Sequence, residues 1–166
     1  MIDFVKQHAK HFNFKQFVAQ TLAEDVGNGD HTSLSTIPAS HTGKMQLLVK
    51  EDGIIAGIEA AREFFKIAAP KIKLTFFVTD GDPVKKGQVA FTAEGNTRTL
   101  LTLERPVLNL MQRMSGIATR TAHLQKLCRG TRAKVIDTRK TTPGFRFFEK
   151  WAVVIGGGAN HRYGLF

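Results

Sequence analysis

The change of hydrophobic period at Gly95-Asn96 restricts this chain more than any other feature. Before it, Ile72, Leu74, Phe76 and Val78 alternate with Lys73, Thr75, Phe77 and Thr79. That is the period of a strand with one mainly apolar face. After it, Leu100, Leu101, Leu103, Val107, Leu108, Leu110, Met111 and Met114 recur at helical spacing and form a broad apolar stripe. Such a stripe must be covered, and the alternating segments before it offer a sheet to cover it.

The remaining pattern fills in around this change. Segments 2–11 and 14–25 read as two short helices, with Asn13 placed to cap the second. Gly27-Asn28-Gly29-Asp30 breaks the pattern, and a polar loop is expected as far as Pro38. Strands are expected over 43–51, with Met45, Leu47 and Val49 on the buried face, then 54–57, 72–78 and 88–93. A helix is expected over 58–69, ended by Pro70. Pro106 either starts or kinks a helix. Ser115-Gly116 is an expected break, because glycine costs about 1 kcal/mol inside a helix, with a second helix over 117–127. A short strand over 133–136 and a helix over 145–155 complete the chain. The reading is α/β: an α+β layer over 1–105, then over 106–166 the first strand–helix unit of something parallel.

Charge divides the chain at nearly the same place. Residues 1–97 carry 11 Lys+Arg and 11 Asp+Glu, whereas residues 98–166 carry 13 and 3, so the whole formal charge of +10 lies in the second part. Such a field attracts anions. Cys128 is the single cysteine, so neither an intrachain disulfide nor a cysteine-based metal site is available. No apolar run reaches membrane-spanning length, and the lysine- and acid-interrupted start is not that of a signal peptide. A cytoplasmic location is the simplest expectation.

Three segments carry candidate chemistry. Ile136-Asp137-Thr138-Arg139-Lys140-Thr141-Thr142-Pro143-Gly144 places polar and basic residues after a buried-type strand, where ligands bind in parallel α/β architectures. Arg139 offers a planar fork suited to carboxylate, and Lys140 a compact charge suited to phosphate. Gly156-Gly157-Gly158 precedes Ala159-Asn160-His161-Arg162, and an anion-binding loop with exposed backbone N–H groups would explain both features. The spacing is neither that of a dinucleotide fingerprint nor that of a Walker loop. Glu104-Arg105-Pro106 lies upstream, where Arg105 either faces a ligand or another subunit, or Glu104 forms a helix-surface ion pair with a neighbouring base.

Together these segments resemble the quinolinate phosphoribosyltransferase family. The likeness includes Glu24-Asp25-x-Gly27-x-Gly29-Asp30-x-Thr32, Glu104-Arg105 with Leu108-Asn109-Leu110, and Ser115-Gly116-Ile117-Ala118-Thr119. It continues through Asp137 to Gly144, Glu149-Lys150, Ala152-Val153 and Gly156 to Leu165. The resemblance implies an N-terminal α/β domain packed on an α/β barrel, of which this chain would hold only the beginning. It implies transfer of a phosphoribosyl group from phosphoribosyl pyrophosphate to quinolinate with loss of CO2, giving nicotinate mononucleotide for NAD synthesis. By the same resemblance Arg139 and Arg162 grip the quinolinate carboxylates with His161 beside them. Lys140 lies by the phosphoribosyl donor, and the backbone of Thr138 lines the pocket. Lys140 and His161 are the expected catalytic side chains. Arg105 is similar to an arginine donated to the neighbouring site of a homodimer.

The resemblance also implies Mg2+, with ligands supplied by later barrel strands rather than by this chain. The expectation is therefore that residues 1–166 alone are inactive. Three alternatives stand beside this reading. One is a related enzyme, acting on nicotinate or found with molybdate transport genes. Another is a lipoyl-type carrier hairpin over 81–96. The third is a non-enzymatic basic fragment that binds nucleic acid, disfavoured because only one Tyr and one Trp occur.

Overall fold

The computed structural model describes residues 3–165, apart from the side chains at positions 3, 6 and 9. Two helices open the chain, α1 (Asp3–His8), continued by a 3-10 turn, and α2 (Phe14–Val26). Asn13 caps α2 by accepting from the Gln16 N–H at 3.0 Å. The expected loop up to Pro38 instead contains a short helix, α3 (His31–Thr36), because Asp30 accepts from the Ser33 N–H at 3.0 Å and starts it. Arg98 fixes the end of α3 by donating to the carbonyls of Ile37 and Leu34.

A three-stranded antiparallel sheet follows. It is ordered β1 (Thr42–Leu48), β5 (Val89–Asn96), β3 (Lys73–Phe76), with Met45 opposite Ala93 and Phe76 opposite Phe91. A two-stranded ribbon pairs β2 (Gly53–Ile54) with β4 (Pro83–Val84). Helix α4 (Ile58–Ala68) buries Ile58, Ala60, Ala61, Phe64 and Phe65. Gly57 begins it at φ +97°, where a Cβ would meet Met111 and Met114 at 3.2 Å. The Asp80 carboxylate caps this start through the N–H groups of Gly57, Ile58 and Glu59. Residues 94–96 lie in β5, so the lysine-bearing turn of a carrier hairpin is not formed there.

The helical stripe becomes one helix, α5 (Thr97–Leu127), which runs unbroken through both Pro106 and Ser115-Gly116. Gly116 has open space around it, whereas Leu110, Met111, Met114, Ala118 and Thr121 are buried on either side. Their burial outweighs the ~1 kcal/mol cost of one glycine. Ser115 and Thr119 clip the β2 segment to α5: their hydroxyls accept from the Ala56 and Ile54 N–H groups, both at 2.9 Å. The division expected at 105/106 falls within α5.

The last part makes the turn from antiparallel to parallel. The expected strand over 133–136 is reduced to a single parallel bridge between Ile136 and Ala159, with α6 (Arg146–Ile155) as the crossover. Phe147, Phe148, Trp151 and Ala152 of α6 are buried. Phe148 meets Phe12, Phe14, Phe17 and Phe145 and joins this unit to the N-terminal helices. The architecture is therefore α/β, an α+β layer leading into one bridge–helix–bridge unit built on α6.

Candidate functional site

The parallel bridge decides where the candidate residues go. The Ala159 N–H donates to the Val135 carbonyl at 2.9 Å, and the Asp137 N–H to the Ala159 carbonyl at 3.1 Å. Because the two segments run the same way, Thr138-Arg139-Lys140 and Asn160-His161-Arg162 leave the bridge at the same end. Gln125 of α5 braces the other end, accepting from the Val135 N–H and donating to the Gly157 carbonyl.

A buried polar network holds the two segments together. Lys150 of α6 is 1% exposed and Asp137 8%, and Nζ lies 2.7 Å from Oδ1. The same Oδ1 accepts from the His161 N–H at 2.8 Å, while Lys150 Nζ also donates to the His161 carbonyl at 3.2 Å. Asn160 Nδ2 donates to Asp137 Oδ2 at 2.6 Å and to the Lys150 carbonyl at 2.9 Å. Sequence reasoning gave these three residues no role. The legible signal was Lys150 itself, a cation set among Phe147, Phe148 and Trp151 on an apolar helix face.

A second network fixes the loop after Lys140. Glu149 accepts from Arg113 through Nε at 2.9 Å and Nη2 at 2.6 Å, and from the Thr142 hydroxyl and N–H. Burial pushes the Glu149 carboxyl up, but Arg113 and Thr142 together hold it below the ordinary glutamate range. Arg146 ties Thr141 to the Tyr163 carbonyl.

These networks consume the nearby acids and leave the site cations unpartnered. Among the described residues, the side chains of Arg139, Lys140, His161 and Arg162 make no hydrogen bond or ion pair. Lys140, His161 and Arg162 are exposed. Arg139 is half-buried, with a buried Nε that has no partner. The arrangement is a positively charged edge whose side-chain donors are unpartnered, suited to a compact polyanion. Thr138 sits within it, its hydroxyl accepting from the Lys140 N–H at 3.0 Å.

One expectation needs correction. The triple glycine is not a free cradle of N–H groups. Gly156, Gly157 and Gly158 donate to the carbonyls of Ala152, Val154 and Val153, closing α6. A Cβ on Gly156 would meet the Ala118 carbonyl at 2.5 Å, and one on Gly158 would meet Thr121 and Val153 side chains at 2.8 Å. The glycines serve close packing on α5. Arg105 is exposed on α5, with Nη2 3.7 Å from Glu104 Oε1. It makes no hydrogen bond or ion pair with the other candidate residues, of which Thr138, Arg139 and Lys140 follow one arm of the parallel bridge and His161 and Arg162 the other.

The donor set does not fit magnesium. Asp137 and Glu149 are spent on Lys150 and Arg113, and Glu104 lies beside Arg105. No group of three or more metal-ligating side chains occurs among the described residues. An open groove of about 670 Å³ runs along α5 from Asn109 to Thr121, and Arg113 in its lining also holds Glu149. No helix among the described residues is long and apolar enough to cross a membrane.

Comparison with known proteins converges on one group. The family model for the N-terminal domain of quinolinate phosphoribosyl transferase matches residues 30–115, and that for its C-terminal domain matches residues 117–166. A relative from Nicotiana tabacum, named quinolinate phosphoribosyltransferase [decarboxylating] 2b, mitochondrial, is 46% identical over 93% of this chain and 44% of its own length. One from Bacillus subtilis, named probable nicotinate-nucleotide pyrophosphorylase [carboxylating], is 40% identical over 94% of this chain and 54% of its own. The crystal structure of NadC from Streptococcus pyogenes superposes with a TM-score of 0.87 at 36% identity, over 92% of this chain and 54% of that one. The chain thus spans about half the length of the relatives it matches. Matched by both domain models and by close relatives along nearly its whole length, it belongs to the quinolinate phosphoribosyltransferase family.

Proposed function

We propose that this chain supplies the edge that grips quinolinate in a phosphoribosyl transfer yielding nicotinate mononucleotide, pyrophosphate and CO2 for NAD synthesis. The observation that carries this reading is the set of four unpartnered donors, Arg139, Lys140, His161 and Arg162, on two segments held at one end of a parallel bridge. Quinolinate presents two adjacent carboxylates, and guanidinium forks bind carboxylates bidentately. Arg139 and Arg162 take those carboxylates, with His161 donating beside them. Lys140 faces the phosphates of phosphoribosyl pyrophosphate, and the Thr138 backbone lines the pocket.

The pyridine nitrogen is already a nucleophile, so orientation and charge neutralisation are the main demands. The nitrogen bonds to the anomeric carbon as the bond to pyrophosphate breaks. The ring nitrogen is then positive. The bond to the neighbouring carboxylate breaks to release CO2, leaving its electron pair on the ring carbon, which takes a proton. Magnesium belongs to the same proposal only through residues outside this donor set.

Arg105 acts in a neighbouring subunit's site in this reading, so the working unit is a homodimer. Mixing an Arg105→Ala protein with an Arg162→Ala protein should restore activity in hybrid dimers. No restoration would remove the shared site. Residues 1–166 alone are not expected to turn over, since one parallel bridge does not close a barrel. Normal turnover by that segment would refute this part. A cytoplasmic location is included, and cell fractionation tests it. The reading as a whole is tested by titrating quinolinate and nicotinate into the full-length protein. Quinolinate should bind more tightly, and Arg139→Ala and Arg162→Ala should each weaken it. Equal affinity for the two pyridines would favour a related enzyme instead.

A further inference from the structure

The Asp137–Lys150 pair is more than the network needs for stability. A lysine 1% exposed among phenylalanines and a tryptophan is costly to bury, and an apolar side chain of similar volume would serve packing as well. What an apolar residue cannot do is hold both backbone polar groups of one residue. Here Asp137 Oδ1 takes the His161 N–H and Lys150 Nζ donates to the His161 carbonyl, while Asn160 closes the circuit from the preceding position. The peptide groups on both sides of His161 are therefore tied to a buried ion pair anchored in α6 and in the segment that leads to Arg139.

We infer that Asp137 and Lys150 are positioning residues that set where His161 and Arg162 point relative to Arg139, and so tune affinity for the pyridine dicarboxylate rather than for the phosphoribosyl donor. The inference deepens the proposed function and, in its ligand-binding part, rests on it. Lys140 follows Arg139 and is not tied to the pair, so the donor side of the site should be less affected.

The test uses the full-length protein with Asp137→Asn/Lys150→Met, a neutral pair that avoids leaving one charge buried alone. Quinolinate KM should rise about tenfold or more, since small displacements of clamping groups are costly. The KM for phosphoribosyl pyrophosphate should hardly move. Without any ligand, hydrogen exchange at the His161 amide should accelerate. Asn160→Ala, which keeps the ion pair but removes its third tie, should shift quinolinate KM in the same direction by less. It also serves if the double variant fails to fold. Val18→Ala, a destabilising change in α2, should lower the melting temperature without altering either KM.

An unchanged quinolinate KM in a folded variant overturns the inference, as does an equal rise in both KM values. If the wild-type protein neither binds nor converts quinolinate, the proposed function fails. The exchange measurement then still judges the positioning role, and unaltered protection at His161 sinks it.

Discussion

The α+β layer and the bridge–helix–bridge unit around α6 use charge in opposite ways. In the first, ion pairs such as Lys44–Glu94, Lys85–Asp52 and Lys66–Glu63 lie on the surface over a core of Phe64, Phe65, Phe91 and Ile58. In the second, Lys150–Asp137 is buried, and Arg113 reaches a Glu149 side chain that is only 9% exposed. Exposed pairs contribute little to stability. Buried ones cost desolvation and are useful mainly where they fix geometry. The layer is thus held by apolar burial and the unit by polar direction, and the candidate site cations Arg139, Lys140, His161 and Arg162 belong to the unit.

The largest effect should come from removing half of the buried pair. Lys150→Met leaves Asp137 buried with its charge uncompensated, a loss of about 3–5 kcal/mol. Phe64→Ala in the layer should lose a similar ~3–5 kcal/mol through its cavity. The two differ in rescue. Adding Asp137→Asn to Lys150→Met should recover most of the loss in denaturant unfolding. A double variant no more stable than Lys150→Met would break the comparison. Next in size is Gly156→Ala, at about 1–3 kcal/mol. Its Cβ meets a backbone carbonyl at 2.5 Å, which cannot step aside as a flexible side chain would. A neutral result would mean that α5 and α6 are less tightly apposed than described.

Much of the layer was legible in the sequence, because each segment there obeys a local rule. Asn13 caps α2, Pro70 follows α4, and alternation marks β3. The misreadings have two sources, tertiary packing that outweighs local preference and a local cap set among polar residues. Gly116 is tolerated within α5 because Met114 and Ala118 are buried on either side of it. Asp30 makes a helix of a polar loop by capping it. At the site, the segments that carry Arg139, Lys140, His161 and Arg162 stood out as motifs. Their joining by Asp137, Lys150 and Asn160 did not, because it depends on residues up to 24 positions apart meeting in space. The glycine run misled for the same reason: glycine permits both exposed N–H groups and close packing, and α5 determines which occurs.

Acid should separate the two regions further. The Glu149 carboxyl titrates below its unfolded value, so the unfolded chain binds more protons between the two values and stability falls as pH falls. The contribution is complete above the ordinary glutamate pKa of about 4.3 and disappears as pH drops through the lower folded value. Unfolding midpoints measured from neutral pH downwards should therefore decline more steeply for wild type than for Glu149→Gln. Hydrogen exchange should show the loop around Thr142 loosening before β5. Parallel declines for the two proteins would show that Arg113 and Thr142 do not hold the carboxylate in solution.

The smallest expected effect belongs to the layer's own surface pairs. Lys44 holds Glu94 at 2.7 Å across β1 and β5, and its hydrogen bond, then its charge, draw the carboxyl below its usual range. Both side chains are open to water, so salt screens them within a Debye length of about 8 Å at physiological ionic strength. Glu94→Gln should leave the unfolding midpoint within experimental scatter at that ionic strength and change it slightly only at low salt. The strand register that places Lys44 opposite Glu94 also places Met45 opposite Ala93, and the apolar face fixes that register without help from the ions. A clear loss on Glu94→Gln at physiological salt would mean that charge does in the layer what has been assigned here only to the unit around Lys150.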